Sequence, residues 1–393
     1  MNANTVYWVW LSMALGAAAR VDEILACFSS AKDVYEADRT GRIISGVFSK
    51  PQIERLEKTP LKNAQAALET CSRNGWKIYT LEDSEYPDEL RFIPDRPLVL
   101  YVDGDISYLN SSVSVGVVGT RKPSYESIEI ARRICAGMAK MKAVVVSGGA
   151  LGIDSAAHEG ALEADGKTVC VMGCGLGCGY LRENEDLRRR ISKSGALITE
   201  YPPLAGVTRS SFPERNRIIS GISMGVLVVE AGERSGSLIT ARKANEQGKD
   251  VFAIPGSVLS SAYMGVNRLI RDGARVVTCA EDILSGYEMM YPERINLKAE
   301  VPQMISEKPK GVRLKFVGEK EKTVVMNFKK EPPSDLDPDM LTVYNLFKDE
   351  PLHSDEICAM SGLSTSKVLT ALMMLEMENL IEATDGKCYK LVQ

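Results

Sequence analysis

The sequence predicts an α/β fold, a Rossmann-like, doubly wound and mostly parallel sheet, and three observations predict it. Short apolar runs, mostly β-branched, recur between residues 114 and 277: VGVVG, AVVVS, TVCVMG, ALIT, GVLVVE, DVFAI and ARVV. Stretches of helical periodicity alternate with them, such as YESIEIARRICAGMAK and SLITARKANEQG. Strands that are apolar along their whole length, alternating with helices, imply a parallel sheet covered on both faces. Glycine-rich loops fall where strands end: GTRKPS, SGGALGID, GCGLGCG and, after GVLVVE, AGERSGS. Ligands of such sheets bind in the crevice at the carboxyl ends of the strands. Loops of this kind present backbone N–H groups and helix N-termini to an anion.

The flanking segments are of other kinds. Residues 1–85 predict a helical domain, because LSMALGAAARVDEILACF and QIERLEKTPLKNAQAALETC carry apolar residues at helical spacing. The apolar run Val6–Ala19 has no Lys or Arg before it, and a bilayer span takes about 20 residues. It reads as a buried helix rather than a signal peptide or a membrane anchor, so no membrane partner and a cytoplasmic location are expected. Gly75 breaks the pattern, a strand follows at Lys77–Thr80, and a turn at Tyr86–Pro87 opens the sheet domain, bounded at residues 86–285. Residues 286–335, rich in Lys, Glu and Pro, read as a linker that includes a candidate hairpin, LKFVGEKEKTVVMNF. Residues 336–393 hold MLTVYNLF, HSDEICAMSGL and SKVLTALMMLEMENL, then IEATDGKCYKLV with an Asp-Gly turn. Three helices and a two-strand ribbon make a winged helix.

A chain of 393 residues fits two or three domains, and 45% apolar with 25% charged residues is ordinary for a globular protein. Nine scattered cysteines are not a disulfide framework and suit a reducing compartment. Cys170, Cys174 and Cys178 crowd together without a nearby histidine. Zinc normally takes four ligands, so no metal is expected. No G-x-G-x-x-G with a downstream acidic ribose partner occurs, so no dinucleotide cofactor is expected either. The net charge of -4 is unevenly spread: residues 111–285 carry 22 basic and 18 acidic side chains, and residues 336–393 carry 4 and 10. The basic middle leaves room for a local polyanion site in an acidic protein.

Four motifs carry the chemistry. GTRKPS places Arg121 and Lys122 where a strand meets a turn, at an anion site or as solvated surface cations. SGGALGIDSAAH puts Ser147, Gly148 and Gly149 at a strand end and starts a helix at Asp154 and Ser155. Glycine there lets a phosphate approach the backbone or simply makes a tight turn. His158 sits on an alanine-rich face and reads as a packed histidine. AGERSGSLIT sets Arg234 beside Ser235, Gly236 and Ser237 at a helix start, which is a second anion site or plain N-capping. FPERNR combines Phe212 with Arg215, Asn216 and Arg217. Single-stranded nucleic acid needs this mixture: cations for phosphates, and a ring on which a base stacks for about 1–3 kcal/mol. The competing assignment ties the arginines to Glu200, Glu214 or Glu230.

These loops, in this order, resemble the DNA-processing protein A family (DprA, also called Smf). The resemblance runs through VGVVGTRKPS, VVSGGALGIDSAAHEGAL, FPERNRIISGISMGVLVVEAGERSGSLITARKANEQGKDVFAIPGS and NRLIRDGARVVTCAEDIL, and upstream through YPDELRFIPDRPLVLYVDGD. It covers roughly residues 80–285. It implies a bacterial cytoplasmic protein that binds single-stranded DNA without cutting it and loads the recombinase RecA in natural transformation or related recombination. It implies an N-terminal helical domain of the SAM or helix-hairpin-helix-like kind. The family's DNA pocket falls on Arg121, the Ser147–Gly149 loop, Phe212, Arg215, Asn216 and Arg217. A homodimer contact falls near Asn267, Leu269, Ile270 and Arg271. Two departures stand out: Leu151 where many relatives have a basic residue, and Tyr180-Leu181 where many have Tyr-Pro.

Two other functions fit the fold. A nucleotide-processing enzyme of the phosphoribohydrolase group would carry P-G-G-x-G-T followed by a glutamate, and AGERSGSLIT lacks that pattern. No Ser-His-Asp set or isolated carboxylate pair stands out to do catalysis. A transcription regulator would read duplex DNA through SKVLTALMMLEMENL, but that segment sets Lys367 against Glu376 and Glu378, where readers normally carry basic residues.

Overall fold

Side chains alternate between the two faces of a strand, and apolar residues at every position therefore demand cover on both sides. In a computed structural model, described here for residues 4–16, 19–180, 182–299, 301, 336–347, 352–378, 380–384 and 388–391, that cover is present. The chain falls into two units, residues 1–309 and 310–393.

The first unit opens with six helices: α1 (Thr5–Leu15), α2 (Val21–Cys27), α3 (Ala31–Glu36), α4 (Arg39–Ile44), α5 (Lys50–Lys58) and α6 (Leu61–Asn74). Then come β1 (Lys77–Thr80), α7 (Asp88–Arg91) and β2 (Val99–Gly104). The wound part follows as β3 (Ser114–Val118), α8 (Tyr125–Lys140), β4 (Val144–Ser147), α9 (Ile153–Glu163), β5 (Thr168–Val171), α10 (Glu185–Ser194), β6 (Ala196–Thr199), α11 (Ser211–Ile222), β7 (Gly225–Val228), α12 (Ser237–Glu246), β8 (Asp250–Ala253), α13 (Met264–Arg271), β9 (Arg275–Val276) and α14 (Ala280–Glu288). The strand order is β1-β2-β6-β5-β4-β3-β7-β8-β9. From β6 to β9 all pairs are parallel, while β2 pairs antiparallel with β6 and with β1.

Alternation fills two cores. Val115 and Val117 of β3 point with Val145, Leu227 and Phe252 to the side covered by α8, α9 and α14. Val118 points with Val144, Val146, Val226, Val228 and Val251 to the side covered by α7, α11, α12 and α13. Each apolar run of the wound part forms a strand at its expected place. The chain winds from β3 outward to β6, then crosses to β7 on the other side of β3. The carboxyl ends of β3 and β7 are therefore the switch point where an open sheet binds ligands.

The N-terminal helices complete a third core on the edge of this sheet. Trp8, Val9, Trp10, Leu11 and Leu15 of α1 pack with Ile78 of β1 and with Val99 and Tyr101 of β2. A helix apolar all round needs burial on every side, and most of α1 is buried here. Strand β2 is absent from the sequence reading, because PLVLYVDG is a short apolar run bounded by Pro97 and Asp103 with no helix beside it.

The segment after α14 departs from a solvated linker. Ile295 is buried, and Tyr291, Leu297, Ala299 and Val301 pack against the core beneath α8 and α14. The candidate hairpin lies outside the described residues. The second unit is a winged helix: α15 (Pro338–Tyr344), β10 (Leu352–His353), α16 (Ser354–Ser361), α17 (Thr365–Met377), β11 (Ile381–Thr384) and β12 (Cys388–Leu391), with a sheet of order β10-β12-β11. Its core gathers Val343, Phe347, Ile357, Val368, Leu372 and Leu375. Strand β10 adds a third member to the expected two-strand ribbon, too short to show a pattern in sequence. Among the described residues, no single helix is long and apolar enough to cross a membrane.

His158 on α9 is fully buried, as a packed histidine should be. Its Nδ1 meets Thr168 Oγ1 at 2.8 Å, while Nε2 has no partner. Burial, helped by the positive charge of Arg215, pushes its pKa down to about 3. The unfolded chain binds a proton at His158 below about 6.5 and the folded chain does not, so stability is full above that pH and falls as pH drops from there towards 3. We expect urea midpoints measured from pH 7 to pH 5 to fall for the wild type, by up to about 1.4 kcal/mol per pH unit from this one group. His158→Gln should flatten that fall. An unchanged pH dependence in the variant would rule the assignment out.

Candidate nucleic-acid interface

At the switch point a cavity of 310 Å³ opens between the loop after β3, the starts of α9 and α12, and the first turns of α11. Val118, Ile219 and Ile239 form its apolar walls, and Arg121, Asp154, Phe212, Arg215, Asn216, Ser235, Gly236 and Ser237 also line it. The three helix starts bring positive dipole ends together at one place.

The loop after β4 is fastened from within. Arg215 Nη1 donates to the carbonyl of Gly148 at 2.6 Å and to that of Val171. Asn184 Nδ2 donates to the Gly149 carbonyl at 3.0 Å, and Ser155 Oγ to the Ala150 carbonyl at 2.8 Å. Asp154 Oδ2 accepts from the Ala150 N–H at 3.3 Å. Ser147 Oγ donates to the Val117 carbonyl at 2.6 Å and is fully buried, so its hydroxyl serves the sheet rather than the cavity. Among the described residues, the N–H groups of Gly148 and Gly149 donate to no protein acceptor, which leaves them for an anion. The glycines have an internal cause as well. A Cβ at Gly148 would collide with the Arg215 guanidinium, and Gly152, at φ +87, would press one against the Thr120 carbonyl at 2.5 Å.

Phe212 is the aromatic centre. Its ring lies 5.1 Å from the Arg121 guanidinium, 5.9 Å from that of Arg215 and 5.5 Å from the ring of Tyr180. Guanidinium planes stack on aromatic faces, so ring and cation form one surface suited to a flat base with its phosphate. Tyr180 is missing from the sequence reading as a site residue, although an aromatic on a glycine loop at a strand end is a visible signal. Asp154 is missing as a lining residue too, since in sequence it looks only like a helix start. Burial raises its pKa, opposed by Arg215 and the Ala150 N–H.

The cations divide into two sets. Arg121, Lys122, Arg209 and Arg234 are exposed and, among the described residues, hold no ion pair. Arg215 and Arg217 are buried. Arg215 keeps one side on the cavity, whereas Arg217 does not line it. Its Nη2 pairs with Glu200 Oε2 at 2.5 Å and its Nε lies 3.6 Å from Asp95 Oδ2. This corrects the sequence expectation for Arg217: alternate helix positions face different sides, and the Glu200 assignment holds for it. Leu151 is exposed near the loop, and Leu181 lies outside the described residues. Of the expected dimer residues, Asn267 exchanges hydrogen bonds with the Gly256 backbone (3.0 and 3.3 Å), Leu269 and Ile270 pack partly against the core, and Arg271 is exposed.

Removing one member of a buried ion pair strands the other charge, at about 3–5 kcal/mol. Arg217→Ala should therefore lose stability of that order in urea unfolding, while Arg121→Ala should stay within about 0.5 kcal/mol of wild type. Equal midpoints for Arg217→Ala and wild type would contradict the structural role.

The family model described as DNA recombination-mediator protein A matches residues 77–288, and the one described as DprA winged helix domain matches residues 329–387. Protein Smf of Synechocystis is 31% identical over 401 residues, 99% of each chain. The X-ray structure of DNA processing protein A from Streptococcus pneumoniae superposes with a TM-score of 0.63 at 33% identity, covering 72% of this chain and 98% of that one. The Helicobacter pylori DNA processing protein A, whose structure concerns a single-stranded DNA binding mode, covers 55% of this chain and 97% of its own at 30% identity, with a TM-score of 0.50. With its wound sheet, its winged helix and a relative matched end to end, the chain belongs to the DNA recombination-mediator protein A (DprA/Smf) family.

Proposed function

We propose that this protein binds single-stranded DNA in the switch-point crevice and delivers it to the recombinase RecA. The observation that carries the reading is the Phe212 ring flanked by Arg121 and Tyr180 beside two unpaired loop amides. Arg121, Lys122, Arg209 and Arg234 supply phosphate contacts, Phe212 and Tyr180 supply stacking, and Asn216 supplies a polar group for a base edge. Arg215 holds the loop that carries the amides. The single-stranded DNA named for the Helicobacter pylori relative supports the same ligand here.

DNA is held rather than transformed. Glu230, a carboxylate an enzyme on a small nucleotide would need free, is buried, and its Oε2 accepts from the N–H and Oγ of Ser124 at 2.9 and 3.0 Å. It fixes the start of α8. The winged helix takes another role than reading duplex DNA. Lys367, the one cation of α17, is paired with Asp339 at 2.8 Å, and Leu369 and Met373 are exposed on the same helix. A cytoplasmic location accords with the free cysteines.

A homodimer through the α13–β9 edge completes the proposal. Strand β9 is the sheet's edge, both its residues are exposed, and Val258, Leu259, Met264 and Val276 are exposed apolar neighbours in sequence. Exposed edges invite pairing. Light scattering should give twice the chain mass for wild type and the single mass for Val276→Lys. A monomeric wild type would remove the dimer.

The central test is fluorescence anisotropy with labelled oligo-dT and the matching duplex at two salt concentrations. We expect preference for the single strand, a salt slope of about -0.7 per phosphate contact, and a loss of about 1–3 kcal/mol for Phe212→Ala. Arg121→Ala should weaken binding and lower the slope, and both variants should slow RecA nucleation on the strand. Binding indifferent to both substitutions would exclude the crevice.

A further inference from the structure

The glycine loop after β5 carries a feature that strand binding does not use. Cys174 and Cys178 sit four residues apart, and Cys178 packs against the buried cluster that holds Cys170 and Cys174. The Cys178 N–H donates to the Gly175 carbonyl at 2.9 Å, which closes a tight turn directly after Cys174 and folds Cys178 back towards it. The loop is seated on the segment after β6, where Gly175 N–H donates to the Ala205 carbonyl at 2.9 Å and Gly177 N–H to the Pro203 carbonyl at 2.8 Å. Cys174 is buried, while Cys178 is partly exposed. Among the described residues, no group of three or more His, Cys, Asp or Glu side chains is placed to hold a metal ion, so Cys170 does not turn the pair into a metal site.

We propose that Cys174 and Cys178 form a thiol–disulfide exchange site that takes low-molecular-mass disulfides, and that closing it weakens strand binding. The partly exposed Cys178, as thiolate, attacks one sulfur of the small disulfide. A mixed disulfide forms and one small thiolate leaves. Cys174 then gives up its proton to solvent and attacks the Cys178 sulfur, and the second small thiolate leaves. The net change oxidises two cysteine thiols to one disulfide and reduces the small disulfide to two thiols. Burial pushes the Cys174 thiol up to about 12, which suits the resolving thiol and not the first attacker.

The link to DNA rests on the strand-binding reading above, whereas the thiol chemistry does not. Tyr180 lies two residues beyond Cys178 and its ring packs on Phe212. Gly173, just before Cys174, faces the same ring, since a Cβ there would stand 3.1 Å from Phe212 Cδ1. A bond between the two sulfurs draws Cys178 inward and shifts Tyr180 with it.

The test treats the full-length protein with oxidised glutathione, alkylates the remaining thiols and maps the peptides. Mapping is needed because Cys27 is exposed and reacts separately. We expect an internal Cys174–Cys178 disulfide, reversed by dithiothreitol and lost in Cys178→Ser. Free thiols at both positions, or a lasting mixed disulfide at Cys178, would overturn the site. Oxidised wild type should then bind oligo-dT about fivefold or more weakly, the equivalent of one stacking contact, while Cys178→Ser ignores the oxidant. A disulfide that forms without changing affinity removes the coupling but not the site. Reduced protein that fails to bind the strand at all refutes the strand-binding reading and leaves the peptide map to decide the site.

Discussion

The crevice depends on one buried guanidinium. Arg215 reaches from α11 to the carbonyls that follow β4 and end β5, and so ties a helix to two adjacent strand ends. Burying a charge is expensive unless hydrogen bonds and opposite charge compensate it. Here two carbonyls and the nearby Asp154 do so, and burial still pulls the Arg215 pKa below its ordinary value. Several sequence features follow from this contact. Position 148 is a glycine because the guanidinium occupies the space a Cβ would fill. Asp154 begins α9 where its carboxylate offsets the charge. Phe212 lies one turn before Arg215, on the same side of the helix, so fixing one fixes the other.

Arg217 completes the clamp from another side. Its pair with Glu200 anchors α11 to the segment after β6, and Gln247 Nε2 donates to its carbonyl at 3.0 Å from beyond α12. The helix is thus held in two directions, and Phe212, Pro213, Arg215, Asn216 and Ile219 are the residues it presents to the cavity. One short motif supplies both the surface and the fastening that keeps it in place. A rigid first turn matters for stacking, because a ring already held in position loses little freedom when a base arrives.

Much of this was legible in the sequence. The continuous β-branched runs fixed seven strands and their parallel order, since nothing but a sheet covered on both faces buries such runs. The glycine loops marked the carboxyl ends, and the winged helix showed in its three helical repeats. What escaped depends on long-range contacts. Strand β2 joins the wound sheet by pairing with β6, almost a hundred residues later. The packing of Ile295 and Leu297 under α8 is hidden in a Lys- and Glu-rich stretch. Arg215 and Arg217 look equivalent in sequence, and only the direction each faces separates a cavity wall from a buried ion pair. Tyr180 became a site residue through its distance to Phe212 and not through any motif.

The same division explains how an acidic chain presents a cationic groove. The wound segment's excess of basic residues is small, and several of its arginines are paired with carboxylates: Arg132 with Glu163, Arg190 with Glu159, Arg189 with Asp186, Arg217 with Glu200. Pairs of this kind cancel at a distance. Among the described residues, Arg121, Lys122, Arg209 and Arg234 hold no ion pair, and Arg121 lines the crevice while Lys122 and Arg234 lie next to lining residues in the chain. Three helix starts and two loop amides that find no protein acceptor among the described residues add to the same potential without adding net charge. Local arrangement sets the sign of this surface, and the whole-chain charge of -4 is compatible with it because the terminal domains carry the acidic excess elsewhere in the sequence.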